Sequence, residues 1–515
     1  MKSFQMKALT VALAATTAVL SGQAGAVNVN GDGLGQHLIY PYYTARAGNS
    51  TLLSVVNTTT QGKVVRVRFL EAKNSNDVLD FNLFLSPYDV WTGAVTKNVA
   101  GDGARLITAD TSCTSPTKDQ FTNLGNGQYS VDMFQANYNT IDGGAVQGLD
   151  RTFEGYVEII EQAAIVTSTS NPLYVATKHS NLGVPPCTDA VVNASGYSPV
   201  AASGNGAVPA GSVIAPTGGL FGVVTFFGPV GTSTSVNATA LDNFARTGVV
   251  SNPSFPTPNF GDGGSCTAGV TAGNTLIVAD TTVGGICSTS AQTRASMVSL
   301  MADTVNGEYA YTGAVGSPLG TDWVLTMPGK FFLTNGVTTP VAPFTNLWDK
   351  VAKTACEPID YRSYDREEFG STNPTLPNCF SGSDAAACST KTTNLCYEAN
   401  VVSFGNGPGA SAALQSANTL WLAGTQDLGK NTTAIKEGGW MTMNMAAVVG
   451  HALPVNVTTA VDIRTGIANA TLLGARTFVG LPVIGFSATS LKTPNAPSLN
   501  NYGTSANLVP TRRVQ

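Results

Sequence analysis

The chain has 515 residues, of which 43% are hydrophobic, 11% charged and 8% aromatic. Ordinary soluble domains carry about 25% charged residues, and a disordered chain would combine few apolar residues with many charges. This composition excludes a disordered chain, and its low charge, together with 55 glycines, is typical of secreted β-rich proteins.

Residues 1–26 have the pattern of a secretory signal peptide. Lys2 and Lys7 form a basic head, residues 8–20 are mostly apolar, and Ala24-Gly25-Ala26 is a small-residue cleavage site. We therefore expect export to the cell surface or the extracellular space, with the periplasm as an alternative. No later stretch reaches the about 20 apolar residues of a membrane helix, so we expect no transmembrane segment after signal removal.

The charge balance also limits the partners. Removal of the signal takes away two lysines and no acid, which changes the net charge from −5 to −7. Nucleic acids and anionic membranes attract basic surfaces, so we expect no nucleic-acid partner. The expected partners are other copies of the chain or other surface components.

Strand patterns dominate the first part of the mature chain. Short β-branched or aromatic runs occupy residues 51–57, 63–71 and 78–85, and turn residues separate them. In the second run Val65, Val67 and Phe69 alternate with Arg66 and Arg68, which predicts one buried and one solvent-exposed face. The spacing predicts an immunoglobulin-like β-sandwich.

The rest of the chain continues this pattern. Further strands are predicted at 153–160, 220–227, 322–327, 399–404, 440–445 and 481–486, and helices only at 292–303 and, as a short turn, at 240–245. We therefore expect a mainly β protein with a β-sandwich domain at 27–190. A second β-rich region at 191–515 would carry disulfides, few short helices and long Gly/Ser/Thr loops.

Eight cysteines in an exported chain predict four disulfides. Eight cysteines allow 105 connectivities, of which sequence proximity favours three pairs and leaves Cys113–Cys187 as the fourth. None of the cysteines has the spacing of a zinc site. The four predicted pairs are Cys113–Cys187, Cys266–Cys287, Cys356–Cys396 and Cys379–Cys388.

Several strings, in chain order, form a recognisable set. They are Gly35-x-x-Leu38-Ile39-Tyr40-Pro41-Tyr42-Tyr43, Arg68-Phe69-Leu70-Glu71-x-x-Asn74-Ser75, Asp80-Phe81-Asn82-Leu83-x-Leu85-Ser86-Pro87-x-Asp89-Val90-Trp91, Asn306-x-Glu308-Tyr309, Thr321-Asp322-Trp323-Val324, Tyr364-Asp365-Arg366-Glu367-Glu368 and Gly480-Leu481-Pro482-Val483-Ile484-Gly485-Phe486. With these strings the chain resembles a family of exported proteobacterial cell-surface proteins with no assigned activity. The family has Phe-Pro-Thr-Lys where this chain has Met327-Pro328-Gly329-Lys330. The resemblance implies a surface-exposed β-rich protein and transfers no activity.

The acidic cluster Asp365-Arg366-Glu367-Glu368 is the densest charge cluster of the chain. Paired carboxylates serve as acid and base in glycosidases and as calcium ligands. Asp365, Glu367 and Glu368 are therefore the candidate metal ligands, and Asp365 and Glu367 the candidate hydrolase residues. The favoured interpretation is structural, with Arg366 paired to an acid, no catalytic residue and no cofactor, calcium being the alternative.

Other candidate groups are isolated in the sequence. Gly-Asp-Gly turns surround Asp32, Asp102 and Asp262, but the further acids of an EF-hand loop are missing. The histidines, His37, His179 and His451, are far apart, and no nucleophile elbow accompanies them. We expect ordinary turns and structural histidines.

The aromatic residues allow two interpretations. They could stack on sugar rings, but in β-sandwiches they more often pack in the core, and Trp323 and Trp440 lie in or beside apolar runs. The residues concerned are Tyr40, Tyr42, Tyr43, Trp91, Trp323, Trp348, Trp421 and Trp440.

Together these patterns favour an exported structural or adhesive protein without enzymatic activity, able to self-assemble through sheet edges. The alternatives are a secreted carbohydrate- or polymer-binding protein and, less favoured, a secreted hydrolase.

Overall fold

The fold is known from a computed structural model. It describes residues 28–134, 148–180, 183–187, 192, 211–229, 231–242, 244, 297–311, 319–335, 337–365, 391–404, 411, 413–421, 438–457, 474–491 and 502–515. Strands predominate throughout these residues, so the prediction of a mainly β protein is confirmed.

The N-terminal half, residues 28–244, contains fifteen of the described strands. They are β1 (Asn28–Val29), β2 (His37–Thr44), β3 (Ser50–Asn57), β4 (Gly62–Glu71), β5 (Asp77–Leu85), β6 (Val90–Lys97), β7 (Ala104–Thr108), β8 (Cys113–Ser115), β9 (Thr122–Gly125), β10 (Gln128–Asp132), β11 (Glu154–Ile165), β12 (Val213–Ile214), β13 (Leu220–Phe227), β14 (Ser233–Asn237) and β15 (Thr239–Asp242). Helix α1 covers Pro172–Thr177, and 3-10 turns cover Arg46–Gly48, Lys118–Gln120 and Leu149–Phe153.

The C-terminal half, residues 297–515, contains the other fifteen. They are β16 (Met301–Ala302), β17 (Thr304–Tyr309), β18 (Leu319–Thr326), β19 (Glu357–Asp365), β20 (Lys391–Leu395), β21 (Ala399–Phe404), β22 (Thr419–Trp421), β23 (Gly439–Asn444), β24 (Ala452–Val457), β25 (Gly474–Val479), β26 (Leu481–Pro482), β27 (Ile484–Leu491), β28 (Tyr502–Asn507), β29 (Val509–Thr511) and β30 (Arg513–Val514). Helix α2 covers Lys330–Thr334.

Two large antiparallel sheets form the N-terminal half. The first has the order β1-β15-β2-β11-β4-β5-β8, with β12 paired to β11, and the second has the order β14-β13-β3-β6-β7-β10-β9. Alternate residues of both sheets share one apolar core, which includes Val67 of β4, Trp91 of β6 and Val224 of β13. The two sheets therefore form a sandwich, whereas an immunoglobulin-like topology is not confirmed and stays a prediction.

Strands β13, β14 and β15 belong to these N-terminal sheets. Strand β13 pairs with β3 over eight residues, from Leu220↔Asn57 to Phe227↔Ser50, and β15 pairs with β2. The domain boundary predicted from the sequence assigns residues 191–242 to the C-terminal region. In the structure, β13, β14 and β15 are instead part of the N-terminal sandwich. The predicted helical turn at 240–245 was wrong at 240–242, because Ala240 and Leu241 pair with Leu38 and His37 in a sheet.

The C-terminal half consists of smaller sheets. Their orders are β20-β19-β23-β17-β29, β22-β21-β18-β27-β28, β24-β25-β30 and β16-β26, and β21 and β22 pair in parallel. Within the helix predicted at 292–303, residues 297–300 are helical. The prediction was wrong at 301–302, because Met301 and Ala302 form a strand that pairs with Pro482 and Leu481.

The outer face of the first sheet is covered by the C-terminal half. Ile39, Tyr156 and Ile160 from this face share a core with Trp323 and Met441 of the C-terminal sheets. The expectation that the Arg66/Arg68 face of β4 is exposed was therefore wrong for Arg68, which is 4% exposed. Burial of this face is the structural basis of the polar contacts described next.

Candidate functional site

Buried carboxylates connect the two halves. Glu154, the first residue of β11, accepts hydrogen bonds from Tyr42 (2.5 Å) and Arg46 Nε (2.5 Å) of its own half. From the C-terminal half it accepts hydrogen bonds from the Ser416 hydroxyl (2.5 Å) and the Ala417 backbone N–H (3.1 Å). A buried carboxylate needs several donors to offset its lost hydration, and Glu154 finds them on both sides of the junction.

Glu398 makes the reverse connection from the C-terminal half. It accepts hydrogen bonds from Ser75 and from the Tyr156 hydroxyl (3.0 Å) of the N-terminal half, and from Phe331 N (2.5 Å) at the start of α2. Burial raises the pKa of Glu398 to about 8, which favours its neutral form at pH 7. The neighbouring Lys330 is also fully buried, and burial lowers its pKa to about 8.

Two further buried ion pairs involve strands of the first sheet. Arg151 donates to both oxygens of Glu71 (3.0 and 2.7 Å), and Lys63 donates to Glu161 (2.8 Å). Burial raises the pKa of Glu161, although Lys63 opposes the shift. These charged groups are buried in an otherwise charge-poor chain. Lys63–Glu161 joins β4 to β11, and Arg151–Glu71 joins the 3-10 turn before β11 to the end of β4.

These carboxylates were not identified from the sequence. The signal was present: β11 reads EGYVEIIEQAAI, with three acids in a strand that is buried along its whole length. An acid inside an apolar strand is costly unless donors surround it, and therefore indicates a buried polar contact.

The predicted acidic cluster lies largely outside the described residues. Asp365 ends β19, where its backbone is opposite Gly439, but its side chain and residues 366–390, including Glu367 and Glu368, are not described. Within the described part of the chain, no group of three or more His, Cys, Asp or Glu residues could hold a metal ion. The metal and calcium interpretations of the cluster stay predictions.

The three histidines lie in three separate places. His37 is buried against Phe244, and burial followed by the charge of Arg68 lowers its pKa to about 3. His179 contacts Ser86 (2.8 Å) and Thr111 (3.2 Å). The structure does not bring any two of them together.

A Ser–His–Asp contact around His179 does not have the geometry of a triad. Ser86 Oγ and Asp89 Oδ2 both approach the same ring nitrogen, Nδ1, at 2.8 and 3.4 Å. A triad places the acid and the nucleophile on opposite nitrogens. Thr111 lies at Nε2 of His179, and its hydroxyl donates to the Gly183 carbonyl (2.9 Å). This contact connects the β5–β6 turn to the segment after α1.

His451 is held by two acceptors. Its Nδ1 lies 2.9 Å from the Met445 carbonyl and its Nε2 lies 2.9 Å from Glu357. Burial alone would raise the pKa of Glu357, but hydrogen bonds from His451 and Thr345 outweigh it, so this pKa lies below its usual value. The pair anchors the start of β19.

Two of the predicted disulfides are present. Cys113–Cys187 joins β8 to the segment after α1, and Cys356–Cys396 joins the residue before β19 to the residue after β20. The pairs Cys266–Cys287 and Cys379–Cys388 lie outside the described residues. The turns around Asp32 and Asp102 contain local hydrogen bonds to Asn30 and Asn98, and Asp262 is not described.

The aromatic residues divide into buried and exposed groups. Tyr40, Tyr42, Tyr43, Trp91 and Trp323 are at most 1% exposed, and Trp348 is buried as well. Trp440 is 40% exposed, so the prediction that it packs in the core was wrong. The side chain of Trp421 is not described.

Trp440 lines a pocket of about 480 Å³ between two C-terminal sheets. One side is formed by the ends of β17 and β23, and the other by β27 and β28. The lining residues are Glu308, Tyr309, Ala310, Gly439, Trp440, Ser487, Thr489, Thr504, Ser505 and Ala506. Its volume falls in the range of about 300–1,000 Å³ that is usual for small-ligand pockets.

Comparison with known proteins finds no relative of this chain. No family model, curated protein or solved structure matches this chain. The resemblance to exported proteobacterial surface proteins therefore stays a prediction. No helix in the described ranges has both the length and the apolar character to cross a membrane.

Proposed function

We propose that this protein is an exported structural or adhesive protein of the cell surface or extracellular space, without an enzymatic role. The observation that supports the proposal best is the placement of Glu154 and Glu398. Each carboxylate is surrounded by donors from both halves of the chain. Glu154 and Glu398 are carboxyl groups of the kind that acid catalysts use, but here their hydrogen bonds join the two halves of the chain.

The disulfides support the exported location. Cys113–Cys187 and Cys356–Cys396 close loops over 74 and 40 positions of sequence. Disulfides persist in oxidising compartments and are rare in the cytosol of most organisms. Together with the signal-peptide pattern at residues 1–26, they favour an extracellular or surface location.

An exposed sheet edge supports self-assembly. Strand β9 ends the second sheet, and all four of its residues are exposed. An edge strand presents unpaired backbone N–H and C=O groups that can pair with another strand. A second copy of the chain is therefore one partner that this proposal includes.

The test combines surface labelling with a deletion strain. We expect a membrane-impermeant biotin reagent to label the protein on intact cells, and the deletion strain to lose surface material or adherence. Purified protein should form large species that persist at high salt. A protein that labels only after lysis, or a deletion that leaves adherence and surface material unchanged, would contradict the proposal.

A further inference from the structure

We propose that the pocket beside Trp440 binds a neutral saccharide. This proposal rests on the proposed surface or adhesive function and names the chemical class of the partner. It is carried by an exposed indole, an exposed carboxylate and a wall of hydroxyl groups that converge on one cavity.

The indole is held in place by its neighbours. Tyr364 on β19 stacks on Trp440 with ring centroids 4.5 Å apart and planes inclined by 19°. Strand β23 lies between β19 and β17, and the pocket is lined from the β17 side. Trp440 is thus supported on the β19 side and presents a preordered apolar surface toward the cavity. The C–H face of a pyranose ring is complementary to such a surface.

The strand pattern places an acid next to the indole. Glu308 is the cross-strand partner of Trp440, so both side chains point to the same face of the sheet. Glu308 is exposed, and within the described ranges neither its carboxylate nor the Trp440 indole N–H has a hydrogen-bond partner. The carboxylate can accept from sugar hydroxyls, and the indole N–H can donate to one.

The opposite wall offers mainly acceptors. Thr321 donates its hydroxyl hydrogen to the Ala310 carbonyl (2.9 Å), so in the 2.7 Å contact between Thr321 and Thr489 the donor is Thr489. The Ser487 hydroxyl donates to the Ala506 carbonyl (3.3 Å). A hydroxyl that has donated its hydrogen retains its lone pairs, so these groups accept from a ligand. Thr504, opposite Thr489 on β28, adds an exposed hydroxyl.

The ligand must therefore be rich in hydrogen-bond donors and have one apolar face. A neutral saccharide has both properties. An acidic sugar would be repelled by Glu308 and by the negative net charge of the chain. A quaternary ammonium ion also suits an indole and a carboxylate, but such ions are usually enclosed by several aromatic rings, and Trp440 is the one exposed aromatic side chain among the lining residues.

The test is binding of the mature full-length protein to an array of neutral, N-acetylated and acidic oligosaccharides, with choline as a separate probe in calorimetry. We expect retention of at least one neutral or N-acetylated oligosaccharide. For that oligosaccharide, Trp440→Ala should weaken binding at least tenfold and Glu308→Gln several-fold. The matched control Phe227→Ala removes a 44%-exposed aromatic side chain from the N-terminal half and should change affinity less than twofold.

Two further variants distinguish a loss of saccharide binding from misfolding of the protein. Trp440→Tyr preserves stacking and should retain most of the affinity, and Thr504→Val should weaken binding without loss of the fold. The proposal is overturned by wild-type protein that retains no neutral or N-acetylated oligosaccharide, by binding of acidic sugars or choline alone, or by equal affinity of Trp440→Ala and wild type. Surface labelling without saccharide binding would remove this site and leave the proposed function standing.

Discussion

Glu398 is a buried residue whose ionisation should be visible in the stability of the protein. Its pKa is about 8 in the folded chain because of burial, against 4.5 for an ordinary glutamate. Between these values the folded state holds a proton that the unfolded state has released. Stability is therefore highest below about pH 4.5 with respect to this group and falls as the pH rises toward 8.

We predict that Glu398→Gln removes part of this pH dependence. One proton contributes a slope of at most about 1.4 kcal/mol per pH unit to the free energy of unfolding. Buried His37, whose folded pKa is about 3, makes stability rise with pH up to about pH 6.5 in both proteins, so the test is the difference between them. In urea unfolding from pH 5 to pH 8, the stability of the wild type should fall relative to that of the variant. Burial shifts Lys330 in the opposite sense, and its contribution rises only above pH 8. Parallel pH profiles of wild type and variant would contradict this assignment.

The buried pair Arg151–Glu71 leads to a second prediction at this scale. Loss of Arg151 leaves the buried Glu71 carboxylate with the backbone N–H groups of Lys73 (2.9 Å) and Asn74 (2.6 Å) but no counter-charge, and removal of one partner of a buried ion pair costs about 3–5 kcal/mol. Arg151→Met should therefore lower the free energy of unfolding by about that amount. Lys97→Met, on an exposed lysine, should change it by less than about 0.5 kcal/mol. Equal urea midpoints for the two variants would show that the Arg151–Glu71 pair does not stabilise the fold.

At the scale of elements, the predicted strands were largely correct. Runs such as 51–57 and 220–227 are β-branched and aromatic, and they form β3 and β13. Their pairing with each other could not be predicted, because more than 160 positions of sequence separate them and local patterns carry no information about such contacts. The helix pattern at 292–303 failed at Met301 for the same reason, since pairing with β26 overrides local preference.

The candidate site was only partly predictable. Strand β23 alternates Trp440, Thr442 and Asn444 with buried Met441 and Met443, so the sequence contained the signal that Trp440 belongs to the polar face. The opposite wall, on β27 and β28, is contributed by residues 487, 489 and 504–506. Only the tertiary arrangement of the two sheets brings that wall to Trp440.

The disulfides give a third prediction, at the level of elements. Cys113 lies in β8 at the edge of the first sheet, and Cys187 lies beyond α1. Replacing both by serine should lower stability by about 2–5 kcal/mol, because the unfolded chain regains the conformational freedom of the loop. Urea unfolding without a reductant should give the variant a lower midpoint than the wild type, and a reductant, which also opens Cys356–Cys396 in both proteins, should remove the difference between them. An unchanged midpoint after reduction of the wild type would contradict it.

At the scale of the whole molecule, the two halves share apolar cores as well as polar contacts. Phe486 and Ala488 of β27 belong to the core of the N-terminal sandwich, and Phe226 stacks on Phe486 with centroids 5.3 Å apart. Backbone contacts add to this junction: Ala399 N donates to the Ala72 carbonyl (2.9 Å). A scaffold built in this way should respond to force or denaturant as one unit.

Calorimetric unfolding of the mature chain is the most direct test of the claim that buried carboxylates fasten the halves into one body. The wild type should show one cooperative transition near pH 6. Combined replacement Glu154→Gln/Glu398→Gln should lower the transition temperature and separate it into two, one for each half. Two well-separated transitions in the wild type, or a double variant with the same single transition as the wild type, would contradict the account.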